Sequence, residues 1–329
     1  MSNTRPSSGK LSIFVTRRWP DAAEAALGEH FDVTLNDGDK PLSRDALIDG
    51  FASHDIAAPT VSDKIDVEIV AAGAAGKCRL ISNYGVGVNH IDLAAAAAHD
   101  IPVTNTPGVL TDATADIAMT LMLMLCRRAG EGERELRAGE WTGWRPTHLV
   151  GRALSGKTLG IIGMGRIGRA VAHRAHFGFG MDVVFQNRSP IADGAGVGAR
   201  QLTDVAAVCA ASDFVSLHCA ATAETANIMN ADAIAAMRPG GYLINTARGD
   251  VVDETALAKA LHDGVIGGAG LDVFQGEPQI NRALLSAPNT VLLPHLGSAT
   301  EETRVAMGMK VVENACAFAA GSALPDKAG

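Results

Sequence analysis

One stretch of the chain constrains its fold more than any other. The apolar run Thr158-Leu159-Gly160-Ile161-Ile162 leads straight into Gly163-Met164-Gly165-Arg166-Ile167-Gly168. A helical pattern then continues to about His176, before a second apolar run from Asp182 to Gln186. Strand, glycine turn, helix and strand in that order predict a βαβ unit of a parallel sheet. The glycines have separate tasks there: a tight turn at Gly163, close backbone approach to a pyrophosphate at Gly165, and close helix–strand packing at Gly168. The first turn of the helix, through Arg166 and Ile167, offers free N–H groups and a positive dipole end to phosphate. A dinucleotide is the expected ligand of this segment.

Where such a site takes NAD, an Asp or Glu about 20 residues further on accepts the ribose hydroxyls. Here Asn187 holds that place, followed by Arg188 and Ser189. A neutral side chain beside a cation and a hydroxyl does not repel a 2′-phosphate, and a guanidinium pairs with one. The triplet predicts NADPH as the preferred cofactor, with NADH as a lesser one. The alternative, an NAD site beside a solvated arginine, stays open at this point.

The 329 residues suggest about two domains. Upstream of the glycine turn, short strand-like runs at 11–16, 31–35, around Ile56, 80–83 and 101–104 alternate with helical stretches at 45–48, 63–72 and 91–98. Downstream, strands are expected at 214–218, 241–245, 268–273 and 291–293. Two doubly wound parallel-sheet domains follow, a Rossmann cofactor domain (107–297) inserted into a flavodoxin-like substrate domain (1–106 plus 298–329). The helix over 301–320 is expected to pack back on the first domain. Ile117 to Cys126 is apolar on nearly every side, which predicts a helix buried all round, between domains or between subunits.

Composition narrows the function. A net charge of −8 sets the bulk field against nucleic acid and anionic membrane, so neither is an expected partner, and any anionic ligand must be captured by local donors. No apolar stretch approaches the ~20 residues of a membrane span, and the N-terminus MSNTRPSSGK, with no apolar core behind it, does not read as a secretory signal, so none is expected. The five cysteines are odd in number and lack CxxC spacing, which argues against a disulfide framework or a metal site and for a reducing cytoplasm.

Three segments past apolar strands carry polar residues suited to one reaction: Arg248 after INTA, Asp272 and Glu277 in LDVFQGEP, and His295 in LPHLGS. Ligands of open α/β sheets sit beyond the carboxyl ends of the strands, so these groups can share one crevice. Hydride addition to a ketone builds negative charge on oxygen, which a cationic histidine can protonate. A neighbouring carboxylate favours that cation, and a substrate carboxylate suits an arginine fork. Spacing alone leaves open a structural Arg248–Glu277 ion pair and a surface histidine.

The segments NYGVGVNHIDL (83–93), TPGVLTDATADIA (106–118), GKTLGIIGMGRIG (156–168), INTARGDVVDE (244–254), GAGLDVFQGEP (268–278) and LPHLGSAT (293–300) resemble, in order, the signatures of the D-isomer-specific 2-hydroxyacid dehydrogenase family. The resemblance implies Arg248, Glu277 and His295 as catalytic trio, with His295 the proton donor. It implies that amides around Val86 and Gly87 bind the substrate carboxylate and that Asp272 holds the nicotinamide carboxamide. Thr246, Ala247, Cys219 and Gly297 are further expected cofactor contacts. Ala220 departs from the usual proline, which puts the adenine-side contacts in doubt. Within the family, PGVLTDATADIA and the WTGW loop are similar to glyoxylate/hydroxypyruvate reductases that use NADPH. That likeness implies a small 2-keto or 2-hydroxy acid substrate and a homodimer, with Trp144 as a candidate pocket residue reaching the neighbouring subunit, or else a core or interface tryptophan. Two other readings are an NAD-dependent dehydrogenase of a lactate-like or aromatic hydroxy acid and a dinucleotide-sensing corepressor. Closure about hinges near 105–110 and 295–300 is also expected.

Overall fold

The computed structural model describes residues 9–328; most of the leader on which the secretory-signal reading rests, residues 1–8, lies outside them. The chain divides into two compact units, crossing between them after Leu110 and after Ser298. In chain order, β1 (Ser12–Val15), β2 (Asp32–Leu35), β3 (Ile56–Ala58), β4 (Leu80–Ser82) and β5 (Val103–Thr104) belong to the first unit. The second holds β6 (Thr158–Ile162), β7 (Asp182–Gln186), β8 (Arg200–Gln201), β9 (Phe214–Leu217), β10 (Tyr242–Asn245), β11 (Gly268–Leu271) and β12 (Thr290–Leu292). The short β13 (Lys327–Ala328) returns to the first.

The first sheet has the order β13-β5-β4-β3-β1-β2, parallel except for β13, which runs antiparallel to β5. Without that edge strand this is the flavodoxin-like order. Alternation along β1 divides its side chains between two cores: Ile13 and Val15 join Leu27, Phe31 and Val311, while Phe14 joins Phe51, Ile69 and Ile101. The helix Glu301–Ala319 lies on the helix Asp21–His30, with Gly308 so close to Ala23 that a side chain there would collide with it. Val109 and Leu110 pack into this same core, so the first unit runs to Leu110, a few residues past the expected boundary at 106.

The second sheet is wholly parallel, in the order β12-β11-β10-β9-β6-β7-β8. The strand order reverses at β6, which has β7 on one side and β9 on the other. A ligand crevice is expected outside the carboxyl ends at that switch point. Register determines what stands there. Ile162 is level with Gln186 and Leu217, Leu217 with Asn245, and Asn245 with Leu271. The next residues, Asn187, Gly163, His218, Thr246 and Asp272, therefore follow their strands in one row.

The helix Thr111–Cys126 corrects one expectation. It packs on β10, β11, β12 and the helix Arg166–His173 within the second unit, yet it is not buried all round. Asp112, Asp116 and Thr120 form an exposed stripe at helical spacing, and Arg174 pairs with both carboxylates, at 2.9 and 2.7 Å. Among the described residues no helix is long and apolar enough to cross a membrane.

Candidate active site

The cofactor side of the row is built by backbone. Gly163 has φ +95°, and a Cβ there would lie 2.6 Å from the amide nitrogen of Cys219, so both the turn and the neighbouring loop require glycine. Gly168 packs its Cα against the Gly163 carbonyl and Ile161, whereas Gly165 faces open space. Tight turn, tight packing and an unobstructed approach fall to the three glycines as their spacing implies. Asn187 accepts the Met164 N–H at 3.2 Å and donates to the Ser189 carbonyl at 2.9 Å, so its side chain braces the glycine turn. Arg188 is exposed and has no hydrogen bond or ion pair with the described residues, only a long-range attraction to Glu224.

Two polar atoms beside this turn are buried without partners, His218 Nδ1 and Thr246 Oγ1. They stand in neighbouring places of the row, and such orphans call for an occupant. His218 Nε2 meets Ser216 Oγ at 2.8 Å, and burial pushes the imidazole down to about 3, so the ring is neutral. Orphaned atoms, the open Gly165 and the unpaired Arg188 together fit a dinucleotide. Burial pushes the Cys219 thiol up, so it has no thiolate character. In the loop after it the Ala220 carbonyl accepts the Thr225 hydroxyl at 2.6 Å.

The candidate catalytic residues stand past three strand ends of the second sheet. His295 Nδ1 meets Glu277 Oε2 at 2.8 Å, and Glu277 Oε1 accepts the Phe274 N–H at 2.8 Å. Burial alone would push the Glu277 carboxyl up. The His295 hydrogen bond and charge, the Phe274 amide and Arg248 reverse that and hold it below the ordinary glutamate range. His295 itself has φ +56°, a strained backbone for a non-glycine residue. The turn is held from behind by Asp272, whose oxygens accept Leu296 N–H at 2.6 Å and Gly297 N–H at 2.7 Å. Asp272 thus positions the histidine, and a carboxamide contact would use its remaining lone pairs.

Arg248 projects from a turn organised by buried Asn245, which donates to the Arg248 carbonyl at 2.8 Å and accepts the Ala247 N–H at 3.0 Å. Burial lowers the guanidinium below its ordinary value while Glu277 and Asp250 oppose that shift. Gly249 joins the two loops, since a Cβ on it would run into the Phe274–Gln275 peptide. Glu254, 4% exposed, accepts the Gln275 N–H at 2.6 Å and so fixes the loop that carries Glu277. Burial pushes its carboxyl up. Neither Asn245 nor Glu254 was expected in the site. Both lie inside INTARGDVVDE, where a polar residue ending an apolar strand was the available signal.

Val86 and Gly87 lie in the first unit, in the loop that follows β4. Trp144 is 82% exposed, which removes the core alternative for it. It sits in a segment with three other exposed apolar side chains, Leu136, Trp141 and Val150.

Residues 119–297 match the family model for the NAD binding domain of D-isomer specific 2-hydroxyacid dehydrogenase. The chain is 41% identical over 321 residues to glyoxylate reductase of Thermococcus litoralis, covering 96% of each protein. It is 40% identical over 297 residues to glycerate dehydrogenase of Hyphomicrobium methylovorum, covering 90% of this chain and 92% of that one. Among solved structures, the NADPH-dependent glyoxylate/hydroxypyruvate reductase of Sinorhizobium meliloti in complex with NADP and malonate superposes with a TM-score of 0.85. Its identity is 34%, over 98% of this chain and 97% of that one.

Proposed function

The chain belongs to the D-isomer-specific 2-hydroxyacid dehydrogenases, and from that premise we propose that it reduces glyoxylate to glycolate and hydroxypyruvate to D-glycerate with NADPH. The observation that carries this reading is the 2.8 Å bond between Glu277 and His295 Nδ1, which leaves Nε2 as the ring's other proton-bearing atom. A bound nicotinamide supplies hydride to the carbonyl carbon. His295 Nε2 gives its proton to the carbonyl oxygen as charge builds there, while the Glu277 bond to Nδ1 holds the ring in place. Keto acid, NADPH and one proton become hydroxy acid and NADP+. The chemistry of Arg248 suits a keto acid's carboxylate, and so, taken by itself, does that of the amides around Val86 and Gly87. Malonate in the Sinorhizobium relative, a small dicarboxylate, is consistent with such a pocket. The glycerate dehydrogenase relative favours hydroxypyruvate as a second substrate.

NADPH preference rests on Arg188, exposed and unpaired beside Asn187 and Ser189. Arg188→Ala is expected to lower kcat/KM for NADPH roughly tenfold to hundredfold, the worth of a charge-assisted hydrogen bond. The value for NADH should change little, and an equal fall with both cofactors would refute the assignment. A homodimer that uses the exposed Leu136–Val150 segment as its interface completes the proposal. All five cysteines are free, in keeping with a cytoplasmic setting.

A further inference from the structure

In the loop after β4, the carbonyl oxygens of four successive residues, Gly85 to Val88, are all engaged. Asn83, fully buried, donates from Nδ2 to the carbonyls of Gly85 at 2.9 Å and Gly87 at 3.1 Å. Asn105 donates from its own Nδ2 to the carbonyl between them, Val86, at 2.8 Å. Backbone amides add Thr106 N–H on Gly85 and Ile91 N–H on Val88. With its amide hydrogens so committed, Asn83 presents Oδ1 to His90 Nε2 at 3.0 Å, which makes that nitrogen the donor. Asn105 is anchored in turn, because its N–H donates to the Asp326 carbonyl just ahead of β13. Lys310 and Asn314 hold the Asp326 carboxylate, each at 3.1 Å.

The donor side of the same loop is the reverse. No acceptor among the described residues takes the amide protons of Val86, Gly87 or Val88, although all three residues are half-buried. Half-buried N–H groups without partners are unusual, and consecutive ones form a concavity suited to an anion. The carbonyls are turned away by two side chains, so it is the asparagines that decide which face of each peptide is presented.

We propose that Asn83 and Asn105 are positioning residues which lock this loop with its carbonyls tied back and its amides presented to the carboxylate of a 2-keto acid. The inference rests on the reading above that Val86 and Gly87 receive that carboxylate. It adds that the receptor is set before substrate arrives, by residues that touch no substrate.

The test uses the full chain, deuterated and 15N-labelled, with NADPH and with oxamate as a non-reacting 2-keto acid analogue. In the wild type, oxamate is expected to shift the Val86, Gly87 and Val88 amide resonances. Asn105→Ala, and the near-isosteric Asn105→Leu, should weaken those shifts and raise both KM for glyoxylate and Ki for oxamate about tenfold, with kcat and NADPH affinity within about threefold. Wild-type amides that ignore oxamate would end the carboxylate reading of the loop. Wild-type amides that respond, with KM and Ki unchanged in both variants, would end the asparagine assignment alone. Loss of NADPH binding in both variants would make the role merely structural and equally overturn the proposal.

Discussion

At the scale of single residues, the site depends on side chains that hold other side chains. Glu277 spends one oxygen on the Phe274 amide and the other on His295, so the imidazole is aimed by a carboxylate that is itself immobilised. Because the Glu277 carboxyl is held below its ordinary range, the pair persists into mild acid and is lost only as pH falls through that lowered value. The acid limb of the kcat/KM profile should therefore lie below the ordinary glutamate pKa. Glu277→Gln keeps an acceptor for Phe274 but loses the charge, and should cost about a hundredfold in kcat, with the acid limb gone and NADPH affinity kept. An acid limb unchanged in the variant would assign it to another group. Arg248, Glu277 and His295 stood out by residue type and strand-end placement, but their grouping as a trio came from the family resemblance. The second tier of Asn83, Asn105, Asn245 and Glu254 was not legible, because an asparagine or glutamate that bonds to backbone looks like any polar residue until the partner peptide is in view.

At the scale of elements, legibility followed burial. Strands β6 and β7 are continuous apolar runs because both faces of a parallel sheet are covered, and they begin and end where their composition changes. The two-residue strands β8 and β13 escaped notice. Arg200-Gln201 and Lys327-Ala328 carry no alternation and are strands only because a sheet edge is there to pair with. The helix Ala129–Ala138 was likewise missed: it buries no side chain, and its AGEGERELRA sequence is held by charge pairs such as Arg128–Glu131 and Arg137–Glu133. The helix Thr111–Cys126 misled in the other direction. Its apolar majority hid a single stripe of Asp112, Asp116 and Thr120 whose charges are met by Arg174 on another element. Composition within an element thus reports how much of it is buried, while its partners come from elsewhere in the chain.

At the scale of the whole molecule, a net charge of −8 opposes the two anionic ligands we propose, NADPH and a keto acid. On that proposal capture must be local, through donors such as Arg188 and Arg248. Part of the glycine content, 36 of 329 residues, stands where the backbone meets a neighbouring peptide, as at Gly163 and Gly249. The exposed Leu136, Trp141, Trp144 and Val150 lead us to expect a dimer in sedimentation equilibrium, weakened by Trp144→Ala paired with Leu136→Ala; a wild-type monomer at micromolar concentration would contradict it. The central claim, reduction of 2-keto acids by NADPH with His295 as proton donor, is tested most directly by following NADPH consumption with glyoxylate and hydroxypyruvate, for the wild type and His295→Ala. Turnover of both acids by the wild type is expected, with kcat lower by about two to four orders of magnitude in the variant and NADPH still bound. Cofactor bound without turnover of either acid, or a variant as fast as the wild type, would contradict it.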